Sequence, residues 1–104
     1  MHNKGRPKKY RIVRQDPRIT YFSPRGKPGR PDFVELTMDE YETIRLVDYI
    51  GLSQKEAADS MRISQPTLSR MLGRARKTLA NGLVGGASIK IQGGYYVISS
   101  RENK

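Results

Sequence analysis

The residues best suited to chemistry lie in one stretch, Leu52 to Leu79, LSQKEAADSMRISQPTLSRMLGRARKTL. Ser64, Gln65, Pro66, Thr67, Ser69 and Arg70 crowd together, and Arg74, Arg76 and Lys77 follow close behind. This set offers hydrogen bonds and positive charge, with no His or Cys among it. An arginine grips guanine O6 and N7 with two parallel N–H bonds, and a glutamine does the same for adenine N6 and N7. Arg70 and Gln65 are the candidates for those roles. Ser64 and Thr67 fall at a helix N-terminus, where free N–H groups point outward and suit a phosphate. Gln54 opens the preceding helix and is placed to grip a phosphate likewise. Arg70, Arg74, Arg76 and Lys77 bring their helix to +4, and no acid occurs between residues 60 and 101.

A second cationic segment begins the chain. Lys4-Gly5-Arg6-Pro7-Lys8-Lys9 resembles an AT-hook core, in which an extended Gly-Arg-Pro lies in a narrow, strongly negative minor groove. Two uses stand: insertion of Arg6 into that groove, or a basic arm whose Lys4, Arg6, Lys8 and Lys9 rest on phosphates. Pro28-Gly29-Arg30-Pro31 repeats the tripeptide, but Asp32 follows and weakens the second copy.

Composition narrows the chemistry further. The chain has 104 residues, enough for one small domain with an arm, and carries 20 Lys+Arg against 10 Asp+Glu, a net +10. Such an excess points to a polyanion, nucleic acid or an anionic membrane surface. With no Cys, thiolate metal sites, disulfides and Cys nucleophiles are excluded, and the single His2 gives no basis for a catalytic triad or a metal centre. No apolar run approaches the ~20 residues of a membrane span. The composition therefore points to a cytoplasmic, non-enzymatic chain that calls for no cofactor, metal, membrane or identifiable small-molecule effector.

Three elements must position the candidate residues, and charge marks their borders. Residues 1–31 sum to +9, residues 32–51 to −5 and residues 52–104 to +6. The first segment is broken by prolines and glycines and reads as an arm, disordered over residues 1–9 and extended and partly docked over 10–31. Tyr10 to Val13 suits a short strand, and Tyr21, Phe22 and Phe33 are the expected anchors on the core. Capping boxes Thr37/Glu40 and Ser53/Glu56, and a cap at Ser64, start three helices. The first spans Met38 to Tyr49, with Tyr41, Ile44, Leu46, Val47 and Ile50 inward. Ala57, Ala58 and Met61 line the second, and Leu68, Met71, Leu72, Ala75 and Leu79 line the third, which ends near Gly82. Arg62 stands in the turn where a left-handed residue is expected, at a cost of about 1 kcal/mol for a non-glycine. Gly93-Gly94 between two alternating runs predicts a hairpin pairing Ile91 with Tyr96 and Ile89 with Ile98.

The expected architecture is mainly α: a three-helix helix-turn-helix core over 32–84, a basic Pro/Gly-rich arm over 1–31 and a C-terminal β-hairpin and tail over 85–104. Its predicted function is sequence-specific binding of double-stranded DNA and transcriptional regulation, the third helix in the major groove. Capped helix pairs also occur in bundles that never touch DNA. Two further alternatives are an adaptor contacting a protein through the acidic first helix, and a nonspecific nucleoid or RNA binder. The acids Asp39, Glu40, Glu42 and Asp48 read as a solvated outer face, with docking of a basic partner or of the chain's own arm as the alternative. A homodimer on two half-sites about one helical turn apart is expected, its surface sought in the hairpin or the arm.

Arg6-Pro7-Lys8, Tyr21-Phe22, LTMDEYETIRLVDYIGLSQKEAA from Leu36 and LVGGASIKIQGG from Leu83 carry a resemblance that covers nearly the whole chain. It resembles uncharacterised protein family 0251 (domain of unknown function 134), small bacterial and archaeal proteins with a helix-turn-helix like sigma-70 region 4. The resemblance implies a DNA-binding role for the three-helix core; region-4 units also bind as monomers. Some relatives carry cysteines in the N-terminal segment, which this chain lacks. Others continue into a domain like those handling the iron–molybdenum cofactor; with Lys104 last, any such sensory domain is expected on another polypeptide.

Overall fold

The capping signals place the helices well. The computed structural model describes residues 10–26 and 32–100. Among them, β1 (Arg11–Val13), β2 (Tyr21–Phe22) and β3 (Phe33–Leu36) precede the first helix, whose α-helical part α1 spans Met38–Thr43. Both capping boxes form, with the Thr37 and Ser53 hydroxyls accepting from the Glu40 and Glu56 N–H groups while each glutamate reaches back to its cap's N–H. α2 (Gln54–Met61) and α3 (Gln65–Gly85) follow, then β4 (Ser88–Ile91) and β5 (Tyr96–Ile98).

The first helix changes character midway. Ile44–Ile50 is π-helical, and Gly51 caps it in the left-handed region (φ 96°), donating to the Leu46 carbonyl five residues back. A wider turn slips the apolar stripe. Leu46 is buried as expected, whereas Ile50 is half-exposed and Tyr49 lies on the surface.

Two apolar clusters form the core. Leu46, Ala57, Ala58, Met61, Leu68 and Met71 join α2, α3 and the π-helical segment, and the small Ala58 lets the helices approach closely. Leu36, Met38, Ala75 and Ile91 join α1, α3 and the strands. The third helix passes Gly82 and runs to Gly85, with Gly86 as its left-handed cap (φ 68°). Gly82 is instead a close-packing residue, since a Cβ there would stand 2.8 Å from Ile89 Cγ1 and 3.2 Å from Val34 Cγ2.

The C-terminal hairpin is corrected by the topology. β4 lies between β2 and β3 in a three-stranded sheet, antiparallel to β2 and parallel to β3, so both its edges are occupied. β5 instead pairs in parallel with β1, Val13 opposite Ile98. The three helices form the crossover between parallel β3 and β4, the long connection such a pair requires. Gly93 and Gly94 are both left-handed, but they serve a close approach to the start of α1. The Gly93 carbonyl accepts from Met38 N–H at 2.9 Å, and a Cβ on Gly94 would lie 2.5 Å from Asp39 Oδ1. The local turn signal was present, and two non-local partners outcompeted it.

The expected aromatic anchors also differ. Tyr21, Phe22 and Phe33 stay half-exposed, the Lys90 ammonium lying 3.9 Å from the Phe33 ring centre. Val13, fully buried, holds the N-terminal segment instead.

Candidate nucleic-acid interface

Local chemistry fixes the angle between α2 and α3. Arg62 takes the left-handed conformation (φ 61°, ψ 44°), the only non-glycine among the described residues to do so. It donates its N–H to the last carbonyls of α2, and Ile63 N–H bonds Ala58 O at 3.0 Å. Ile63 packs on the first core cluster and plugs the turn. Ser64 then caps α3, its hydroxyl accepting from Thr67 N–H at 3.1 Å.

With Leu68, Met71 and Leu72 buried, Gln65, Pro66, Ser69 and Arg70 are brought to one exposed surface at the start of α3. The Ser64 hydroxyl donates to Thr67 Oγ1 at 2.8 Å, and the Arg70 guanidinium lies 3.5 Å from that same oxygen. These contacts run from Ser64 to Arg70, nearly two turns of helix, and steady the arginine. They also change the expected phosphate site. Pro66 has no N–H, Thr67 gives its own to the Ser64 hydroxyl and Leu68 gives its own to the Ser64 carbonyl, leaving the Gln65 N–H for an anion. Gln54 is half-buried at the first position of α2.

Two of the four cations on α3 are engaged elsewhere. Arg76 makes a fork with Asp48, Nε to Oδ2 at 3.1 Å and a terminal nitrogen to Oδ1 at 2.7 Å. That bond holds the Asp48 carboxyl below and the Arg76 guanidinium above their ordinary pKa values. Arg74 Nε lies 3.7 Å from Glu40 Oε2. The flank of α3 faces the acidic helix, so these two residues belong to the seam between helices rather than to the surface around Arg70. Lys77 is exposed.

The acidic first helix is a solvated face only at Asp48, which is exposed; Asp39 and Glu42 are buried and Glu40 is half-buried. Glu42 is fully buried; its Oε1 accepts from Arg45 Nε at 2.8 Å, and its Oε2 accepts from Arg45 at 2.9 Å and from the Arg14 backbone N–H at 2.9 Å. The bond to Glu42 raises the Arg45 pKa. Asp39, also buried, accepts from Arg11 at 3.1 Å. The Arg14 guanidinium reaches the Ser60 and Ser99 carbonyls at 3.2 and 3.3 Å, tying β1 to α2 and to the residue after β5. The chain's own N-terminal segment thus docks on these acids. Arg11 and Arg14 are residues that sequence reasoning missed, although a basic strand before an acidic helix was the available signal. Lys4, Arg6, Lys8 and Lys9, with the repeat at 28–31, lie outside the described residues.

No group of three His, Cys, Asp or Glu able to hold a metal occurs among the described residues, and none of their helices is long and apolar enough to cross a membrane. The described residues form a three-helix domain with small strands, the first of which, β1, pairs with the last, β5. The chain belongs to the family described as protein of unknown function DUF134, whose model matches residues 1–99. A UPF0251 protein of Thermoanaerobacter sp. is 44% identical over 100 residues, 95% of this chain and 88% of its own length. Another, from Caldanaerobacter subterraneus subsp. tengcongensis, is 46% identical over 94 residues, 89% of this chain and 80% of the relative. A UPF0251 protein of Methanococcus vannielii is 45% identical over 96 residues, 91% of this chain and 74% of the relative. No solved structure matches the chain.

Proposed function

We propose that this chain is a non-enzymatic, cytoplasmic DNA-binding protein and a transcriptional regulator. In this reading α2 and α3 form a helix-turn-helix like that of sigma-70 region 4, and α3 enters the major groove by its N-terminal half. The observation that carries the reading is the surface of Gln65, Pro66, Ser69 and Arg70, exposed on the first turns of a helix whose other face is fully buried. Rigid placement matters because base reading needs side chains held at fixed angles to the groove. Arg70 takes guanine, Gln65 takes adenine, and Ser64, Thr67, Gln54 and Lys77 lie against the backbone. Arg74 and Arg76 contribute charge from the seam without reading bases.

The adaptor alternative loses ground because Asp39 and Glu42 are consumed inside the protein and Glu40 and Asp48 sit beside arginines. A selection from random duplexes at about physiological salt, run on wild type and Arg70→Ala, tests the proposal. The wild type enriches one motif, and the variant loses preference at one or two base pairs. Enrichment of nothing, with steeply salt-dependent binding to every duplex, would make the protein a nonspecific nucleoid or RNA binder.

A further inference from the structure

The three-stranded sheet has two unlike faces. Val34, Leu36, Ile89 and Ile91 turn toward α3 and the second core cluster. Alternation along the strands puts Tyr21, Phe33, Glu35, Ser88 and Lys90 on the opposite face. There Tyr21 and Phe33 keep 54% and 50% of their surfaces in water, and Glu35 is exposed. The Lys90 ammonium stands over both rings, 3.9 Å from the centre of Phe33 and 5.8 Å from that of Tyr21. The Tyr21 hydroxyl donates to buried Ser88 at 3.5 Å, which lays its ring across β4.

Charge and ring chemistry select the occupant. Between Tyr21 and Phe33 the sequence carries Arg25, Lys27 and Arg30 against one acid, Asp32. With Lys90, the two rings are interleaved with cations, on a chain of net +10. Cations attract a phosphate backbone, and exposed aromatic rings stack its bases. A duplex keeps its base faces stacked inside, so only an unpaired strand uses such rings. Glu35, directly across from Lys90, narrows the strand further. A carboxylate repels phosphate, yet it accepts a hydrogen bond from a ribose 2′-hydroxyl, the group that distinguishes RNA from DNA.

We infer that this outer face of the β2–β4–β3 sheet binds single-stranded RNA. Bases stack on Phe33 and Tyr21, Lys90 moves from the rings to a phosphate, and Glu35 accepts from a 2′-hydroxyl. The site is separate from the surface around Arg70. The sheet packs on α3 at Gly82, about 18 Å along the helix from Arg70. The inference therefore stands apart from duplex binding.

The test is fluorescence anisotropy of a labelled oligouridine and its deoxy counterpart, titrated with the full chain at about physiological salt. The wild type binds the ribose strand more tightly, and Glu35→Ala removes that preference. Phe33→Leu keeps an apolar side chain on β3 but no ring, and it weakens binding on the order of tenfold. Lys90→Gln lowers the slope of log affinity against log salt by about 0.7, the share of one phosphate contact on a single strand. Tyr49→Ala removes an exposed ring from the first helix and leaves binding unchanged. Circular dichroism checks the fold of each variant. Equal affinity for the two strands overturns the inference, as does a Phe33→Leu variant that binds like the wild type. A loss on Tyr49→Ala equal to that on Phe33→Leu overturns it too. Arg70→Ala binds oligouridine as the wild type does, so failure here is separable from failure of the DNA reading.

Discussion

The first helix and the first half of α3 both display polar and charged residues at helical spacing, and the fold uses them in opposite ways. In the first helix, Asp39 and Glu42 are buried against Arg11, Arg45 and the Arg14 backbone. In α3, Gln65, Ser69 and Arg70 stay on the surface while the apolar face goes under. The difference teaches that net charge along a segment does not say where the charge goes. An acidic helix beside a basic strand is largely neutralised within the chain. A basic helix with no acids of its own keeps whatever its neighbours do not reach, and here the seam takes Arg74 and Arg76 and leaves Arg70.

The largest effect falls on the buried acid. Glu42→Gln leaves Arg45 without its counter-ion in a nearly closed site and costs about 3–5 kcal/mol, measured by urea unfolding. A cost below ~1 kcal/mol would make Glu42 a surface charge and erase the contrast. Next come two glycines of α3. Gly82→Ala destabilises by about 1–3 kcal/mol through overpacking, because its methyl meets Ile89 and Val34. Gly73→Ala, with open space around its Cβ, stabilises by up to ~1 kcal/mol. Thermal unfolding of the pair distinguishes a packed position from an open one on one helix.

On the surface the expectation reverses. Arg70→Ala leaves stability within about ±0.5 kcal/mol and removes about 1–3 kcal/mol of discrimination at one base pair, read by competition between duplexes. The smallest effect belongs to the Arg76–Asp48 fork, which is solvent-exposed. Arg76→Ala costs less than ~1 kcal/mol and leaves base preference intact. Because the folded Asp48 pKa is depressed, that contribution is present above the ordinary carboxylate range. It is lost as pH falls through the lowered value, so acid titration of stability in wild type and Arg76→Ala converges at low pH.

Much of the helical core was legible because its signals are local. Thr37, Ser53 and Ser64 mark helix starts through bonds three residues away, and the spacing of Leu68, Met71, Leu72 and Ala75 marks the buried face within one helix. Arg62, expected to be left-handed, is so. The strands were not legible in the same way. Gly93-Gly94 advertises a hairpin, but the partners of β4 lie some 55 to 70 residues earlier in the chain, a separation that no local pattern records. Gly82 looked like a helix terminus because the close approach of Ile89 and Val34 exists only in three dimensions. For the interface, the periodicity of α3 exposed Gln65, Ser69 and Arg70, whereas the fork between Arg76 and Asp48 required the packing of two helices to be known.

The central claim is that the first half of α3 meets DNA while the acidic helix belongs to the scaffold. Amide chemical shifts recorded while a duplex carrying the selected motif is titrated into the protein test it most directly. The account predicts that the largest changes fall between Gln65 and Arg70, with Asp39 to Arg45 nearly still. Large changes on the first helix, with residues 65–70 unmoved, would contradict it.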